Sequence, residues 1–387
     1  MFDLKPELDR RREAGLYRQR SIVSSAQSVR LTINGQSLLS FSSNDYLGLA
    51  NHPDIKKSFI NATEQYGVGS GAAHLITGHS QLHHECELRL AEFTGRDRAL
   101  LFSNGYMANL AIASALVGRH DIIHQDKLNH SSLIDAAKIS GAKLKRYRHS
   151  DLDQLKSQLA LSTTDDNTSV RQLIMTDGVF SMDGDCADLN RLSQLASESN
   201  SVCMVDDAHG FGVLGATGAG LLEQCGLGQQ QVPILMATLG KAIGTSGAFV
   251  AGSDALIETL IQQARPYIYT TASPPAIAAA TICSLDIVKR DHWRRDKLQT
   301  LIVYFQQRME NTKFKLMPSD TAIQPIVIGN NNQVLLLSEQ LLKSGIQVTP
   351  IRPPTVPAGS ARLRITLSTL HEKTDIDQLI KALLASQ

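Results

Sequence analysis

Neither sign of charge dominates this 387-residue chain: 38 Lys and Arg stand against 37 Asp and Glu. Its basic clusters are short, so it lacks the electrostatic footprint of a nucleic-acid binder. Cysteine is sparse. Cys86, Cys186, Cys203, Cys225 and Cys283 are far apart, odd in number and never in a C-x-x-C pair. That is the usage of a chain kept in a reducing cytoplasm. Long apolar runs are missing too, and no window approaches the about eighteen residues that a membrane-spanning helix needs. The first residues, "MFDLKPELDRRREAGLYRQR", are charged and helical in pattern, without the apolar stretch of a secretory signal. The expectation is a cytoplasmic protein with no nucleic-acid or membrane partner.

What is present is a 42% hydrophobic composition, enough for a large core. At roughly 150 residues per domain, one large unit and a smaller one are expected. Short apolar runs at 98–103, 121–126, 171–177, 201–207, 232–238 and 247–252 read as strands, and most are separated by segments of helical length. Strands that are apolar throughout, alternating with helices, predict an α/β fold whose mostly parallel sheet is covered on both faces. This large domain is placed at 46–284. Beyond it, 285–387 reads as a smaller α+β domain. A long amphipathic helix is followed by strands "AIQPIVIG", "IQVTPI" and "ARLRITLS", with a helix between the first two. Residues 1–45 are expected to pack with that small domain.

In open parallel sheets, ligands bind beyond the carboxyl ends of the strands. The polar residues there carry the chemical reading. Lys241 follows the run "ILMAT" and is the only formal charge between Glu223 and Asp254. Burial lowers the pKa of a lysine and suits it to Schiff-base chemistry with an aldehyde. A lysine that snorkels to the surface is the commoner case. Small residues around this one keep its surroundings open. Asp206 and Asp207 end another run. Either is read equally well as a turn former until His209 and the permissive Gly210 and Gly212 are added. Gly105 and Tyr106 open a helix after "ALLFSN", where bare N–H groups suit a phosphate. His130 opens another helix pattern, and Ser181 lies in the long turn "DGVFSMDGD".

Three other motifs are set aside. "GKA" lacks the Ser/Thr and the upstream glycines of a phosphate-binding P-loop. "GVGSGA" follows a helical pattern where a dinucleotide fingerprint needs a strand. "HSQLHHE" places His79 and His83 on one helix face, but a third metal ligand is missing and a solvated face is expected. No metal is assigned.

A lysine that bonds an aldehyde, a strand-end acid, a nearby histidine and a phosphate-ready helix start are the parts of a pyridoxal phosphate (PLP) site. "FSSNDYLGLANHP", "SNGYMANLA", "DGVFSMDGD", "VDDAHGFGVLG", "TLGKAIGTSGA", "YTTASPP" and "IRPPTVPAGSARLRITLS" occur in this order along nearly the whole chain. They closely resemble the α-oxoamine synthases, which are fold-type I PLP enzymes. The resemblance implies a seven-stranded-type sheet and a homodimer with shared sites. It implies that Lys241 bonds the cofactor and takes the substrate Cα proton. Asp206 would pair with the pyridine nitrogen, His209 would bond the ring's phenolic oxygen with Ser181 nearby, and His130 would stack on the ring. Gly105, Tyr106 and Thr238 would hold the phosphate end, while Thr270 and Thr271 would reach the phosphate of a second copy. Arg18, Asn44, Thr355 and Arg364 match positions around the substrates, with Arg364 suited to the amino-acid carboxylate.

The last motif points to the member that condenses L-alanine with a pimeloyl thioester, carried on CoA or acyl carrier protein, in biotin synthesis. Members that use glycine or serine stay open, as does a PLP-binding protein without catalysis. Two departures stand out. Ala72, Ala73 and His74 replace the residues common in the loop "GSGAAHLITG", and Asp177 stands where Glu is usual.

Overall fold

In the computed structural model, residues 2–14, 16–161, 170–310 and 312–386 are described. The six apolar runs all form strands: Arg98–Phe102, Ile122–Asp126, Gln172–Asp177, Val202–Asp206, Ile234–Thr238 and Ala248–Gly252. A seventh strand, Lys143–Tyr147, completes the sheet. From one edge to the other the order is Arg98–Phe102, Ala248–Gly252, Ile234–Thr238, Val202–Asp206, Gln172–Asp177, Ile122–Asp126 and Lys143–Tyr147. All neighbours run parallel except at Ala248–Gly252, which is antiparallel to both of its partners.

The apolar strands separate two cores. Successive strand side chains point to opposite faces, so Ile234 and Met236 join one buried cluster while Leu235 and Ala237 join the other. On the first face the helices Gly105–Leu116 and Ser131–Ser140 supply Ala108, Ile112, Leu133 and Ala136. Fully burying Ile112 or Leu133 contributes about 1.5–3 kcal/mol each. On the other face, the long helix Pro275–Arg290 packs against Pro53–Tyr66 and Gln81–Thr94 and continues unbroken through residue 284.

The two chain ends meet in the remaining sheets. Arg30–Ile33 and Gln36–Ser40 form a hairpin around Asn34 and Gly35, both at positive φ (50° and 81°), as a tight Asn-Gly turn requires. Ile346–Gln347 pairs in parallel with Gln36–Ser40. Thr349–Ile351 instead pairs with Ala361–Thr366, in an antiparallel sheet that also holds Lys315–Leu316 and Ile323–Gly329. The single strand expected over "IQVTPI" is therefore two short strands in two sheets, divided at Val348.

Candidate active site

Four strands end in polar residues at the same edge: Asp126, Asp177, Asp206 and Thr238. The register puts Asp177 directly beside Asp206, and Asp206 beside Met236. Above this edge lies a cavity of about 190 Å³. Gly105, Tyr106, His130, Ser181, Asp206, His209, Thr238 and Lys241, all singled out from the sequence, line it. So do Asn109, Ser132, Ala208 and Met236, which were not, and Asp177, noted in the sequence only for standing where Glu is usual.

Lys241 is brought in by the turn that follows Thr238. Its Nζ lies 2.8 Å from His209 Nε2. Burial lowers the Lys241 pKa to about 8, against the opposing pull of Asp206 and Asp177. His209 is held well below the usual imidazole range by burial and then by Lys241, so it is neutral. Its Nδ1 lies 2.7 Å from the hydroxyl of Tyr46, and that hydroxyl donates to Asn44 Oδ1 at 3.2 Å. Asn44 Oδ1 also accepts from both terminal nitrogens of Arg364, each at 3.3 Å. The pattern is self-consistent when His209 Nε2 accepts from Lys241 and Nδ1–H donates to Tyr46. A chain of polar contacts thus joins Lys241 to Arg364, with the donors of both sides converging on Asn44 Oδ1. Arg364 further donates from Nε to the Ser181 carbonyl at 2.6 Å.

The two strand-end acids divide their work. Asp206 faces the cavity and accepts from Asn109 Nδ2 at 2.8 Å and from the Ala208 N–H at 3.1 Å. Asp207 is fully buried and accepts from the Leu221 N–H at 2.7 Å. Burial pushes its carboxyl up to about 8. A Cβ at Gly210 would stand 2.2 Å from Asp207 Oδ1, so that glycine is required by close packing. Asp177 accepts the His130 N–H at 2.8 Å and so positions the start of the Ser131–Ser140 helix. Burial, then the neighbouring Asp206, holds the Asp177 carboxyl well above the usual range. The shortening from Glu to Asp therefore leaves a group that holds His130 by its backbone.

Asn104 caps the Gly105–Leu116 helix by accepting from the Met107 N–H at 2.9 Å. The first-turn N–H groups of Gly105 and Tyr106, which have no acceptor within a helix, sit at the cavity. At the same end Thr238 Oγ1 donates to the Gly247 carbonyl at 3.0 Å.

The other sequence candidates lie elsewhere. Arg18 and Thr355 line a second cavity of about 1230 Å³, together with Arg10, Arg11 and Arg352, and share no lining residue with the first. Thr271 bridges to Ala73, and neither it nor Thr270 lines the first cavity. The expected solvated face at "HSQLHHE" holds for His79 and His84, which are exposed, and is overturned at His83. His79 precedes the helix, which begins at Gln81 with Ser80 as its cap, and His83 is fully buried. His74 folds back beside both.

The sequence model for aminotransferase class I and II matches residues 36–383. The chain belongs to this family. Within the class I and II aminotransferases its relatives are α-oxoamine synthases. The 8-amino-7-oxononanoate synthase of Pseudomonas savastanoi pv. phaseolicola is 56% identical over 99% of this chain and 95% of its own length. The solved 8-amino-7-oxononanoate synthase of Francisella tularensis is 34% identical, with a TM-score of 0.78 over 89% of this chain and 96% of that one. The serine palmitoyltransferase of Sphingomonas wittichii superposes with a TM-score of 0.93 at 28% identity, covering 100% of this chain and 98% of that one.

PLP is the cofactor of this family, and solved serine palmitoyltransferases carry it. The cavity fits the group. An acid at its floor, a neutral histidine, an amine of lowered pKa and a helix start match the nitrogen, phenolic oxygen, aldehyde and phosphate of PLP in turn.

Proposed function

We propose that this chain condenses L-alanine with a pimeloyl thioester, releasing CO2 and the free thiol and forming 8-amino-7-oxononanoate. The observation that carries the reading is the 56% identity over 99% of the chain to an 8-amino-7-oxononanoate synthase.

PLP, when bound, supplies an electron sink for the carbon that loses its proton. The rest falls to the chain. Lys241 would hold the cofactor aldehyde, and its amine, once freed, would take the proton from alanine Cα and later return one. A pKa near 8 suits that task at neutral pH. Asp206 keeps a proton on the ring nitrogen, with Asn109 fixing the carboxylate. His130, which lines the cavity, would lie against the cofactor ring. His209 orients Lys241 through the 2.8 Å contact. Arg364, braced by Asn44 and the Ser181 carbonyl, takes the alanine carboxylate. Arg18 and Thr355, at the larger basic cavity, would meet the thioester carrier, whether CoA or acyl carrier protein. Thr270 and Thr271 would complete the phosphate end in a second copy, which makes the active form a homodimer.

The test is a substrate screen with the PLP-loaded protein: alanine, glycine and serine against pimeloyl, acetyl and palmitoyl thioesters, following thiol release. Alanine with the pimeloyl thioester should be the productive pair, and Lys241→Ala should abolish turnover. Activity confined to glycine with acetyl-CoA, or to serine with the palmitoyl thioester, would overturn the substrate assignment. Normal product formation by the Lys241→Ala protein would overturn the role of the lysine.

A further inference from the structure

Outside the PLP cavity, the turn at 74–79 and the following helix gather three histidines. One nitrogen from each of His74, His79 and His83 lies within 4.8 Å of the other two. His74 Nδ1 and His79 Nδ1 are 2.9 Å apart. Two ligands of a tetrahedral zinc ion, with Zn–N bonds of about 2.0–2.1 Å, stand roughly 3.3–3.4 Å apart. That pair needs to open by only a few tenths of an ångström to hold the ion, with His83 drawn in from within 4.8 Å.

The outer contacts are those of ligands. A metal-binding histidine usually gives its second ring nitrogen to a carbonyl or a carboxylate, which fixes the tautomer. His83 Nε2 donates to the Ser273 carbonyl at 2.7 Å. That leaves its Nδ1 as the lone pair, now taken by the Ser80 N–H at 3.1 Å and shared with Ser80 Oγ at 2.9 Å. Coordination exchanges those Ser80 contacts for a metal bond. His79 Nε2 faces Glu87 Oε2 at 3.9 Å, while Glu87 Oε1 accepts from the Leu101 N–H. His74 is stacked on the buried Tyr267, with ring centroids 5.1 Å apart and planes at 14°. The 2.9 Å contact between the His74 and His79 Nδ1 atoms places a proton on one of them, which moves to that ring's Nε2 when the ion binds.

We propose that His74, His79 and His83 form a binding site for a divalent ion of the zinc class, with an open fourth position toward solvent. Three imidazoles without thiolate or carboxylate suit Zn2+, Co2+, Ni2+ or Cu2+ and disfavour Ca2+ and Mg2+. The ion ties the 72–79 turn to the helix at 81–94. Through Ser273, the Ala73–Thr271 bridge and the Ala272 N–H to Ala72 carbonyl bond, it also holds the stretch that carries Thr270 and Thr271. The site stands apart from the proposed reaction and does not depend on it.

The experiment uses the full chain with PLP bound, free of any affinity tag, stripped with a chelator and titrated with Zn2+ by calorimetry and with Co2+ by visible absorption. One ion per chain is expected, with a Kd below about 10 µM and the intense visible bands of tetrahedral Co2+. His74→Ala and His79→Ala should each weaken binding at least about tenfold, with the PLP absorbance and circular dichroism unchanged. His84→Ala should bind as the unmodified protein does. Loss in His84→Ala but not in His74→Ala would move the ion to the neighbouring His79, His84 and Glu87 group and overturn the assignment. Undiminished binding in His74→Ala, or no uptake in the low micromolar range, would overturn it as well.

Discussion

Lys241 sets the pH at which the cavity captures its cofactor. Only the neutral amine attacks an aldehyde. Burial brings the Lys241 pKa from 10.5 to about 8. At pH 7 such a group is neutral about 9% of the time, against about 0.03% for an ordinary lysine, roughly a 300-fold advantage. The assay mixes PLP with cofactor-free protein across pH 6 to 10.5 and follows the cofactor's absorbance. Borohydride trapping and peptide mapping then confirm attachment at Lys241. Dividing each rate by that of Nα-acetyl-lysine in the same buffer removes the titration of PLP itself. The absolute rate should rise about tenfold from pH 6 to 7, about fivefold from pH 7 to 8, and then level off. The ratio to the model amine should fall steadily above pH 8. A ratio constant across the whole range would show an ordinary, solvated lysine and refute the argument from burial. The same shift has a thermodynamic sign. Between pH 8 and 10.5 the unfolded chain holds a proton at this position that the folded chain has released. Cofactor-free protein should therefore gain stability as pH rises through that window.

Tyr46→Phe removes the hydroxyl that joins His209 Nδ1 to Asn44 Oδ1. A buried donor left unpaired costs about 1–3 kcal/mol, so the protein should lose about that much stability, and kcat/KM should fall because His209 and Asn44 are no longer held by a shared partner. A change within twofold would mean that the chain of contacts from Lys241 to Arg364 is dispensable. Gly184→Ala acts on stability. Gly184 has φ +77°, and a Cβ there would lie 2.4 Å from the Ile323 carbonyl oxygen and 2.5 Å from Ser319 Oγ. The denaturation midpoint should drop by the equivalent of more than about 1 kcal/mol, and an unchanged midpoint would show that the 181–185 turn has room to move.

The parts of the site that were legible in the sequence are those that look out of place there. A lysine in an apolar run and an acid at the end of a buried strand are costly unless they are used. Lys241, Asp206, His209, His130 and Gly105 accordingly meet at one cavity. What stayed hidden belongs to residues that look ordinary locally. Tyr46 reads as an aromatic in a loop and meets His209 only through the fold. Asn109 is a neutral amide inside an apolar helix. Its position four residues after Gly105, on the same face, was the available signal. The Lys143–Tyr147 strand escaped because it lies at the sheet edge and is mostly uncovered, so "KLKRY" has no apolar run. "IQVTPI" alternates like one strand, and nothing local marks the change of sheet at Val348. His74 joins His79 and His83 by a turn whose return path no periodicity announces.

The contact between Arg364 and Asn44 spans 320 positions of the chain, and that between His209 and Tyr46 spans 163. At about 5–20 residues per second of synthesis, roughly 16–64 s separate the making of Asn44 from that of its partner 320 positions later. Lys241 is present only for the last 123 positions of that interval, about 6–25 s, and the nascent chain then holds a lysine-bearing cavity with one wall missing. A ribosome that stops short of the Ala361–Thr366 strand leaves a protein with the cofactor floor in place and no grip for the amino acid.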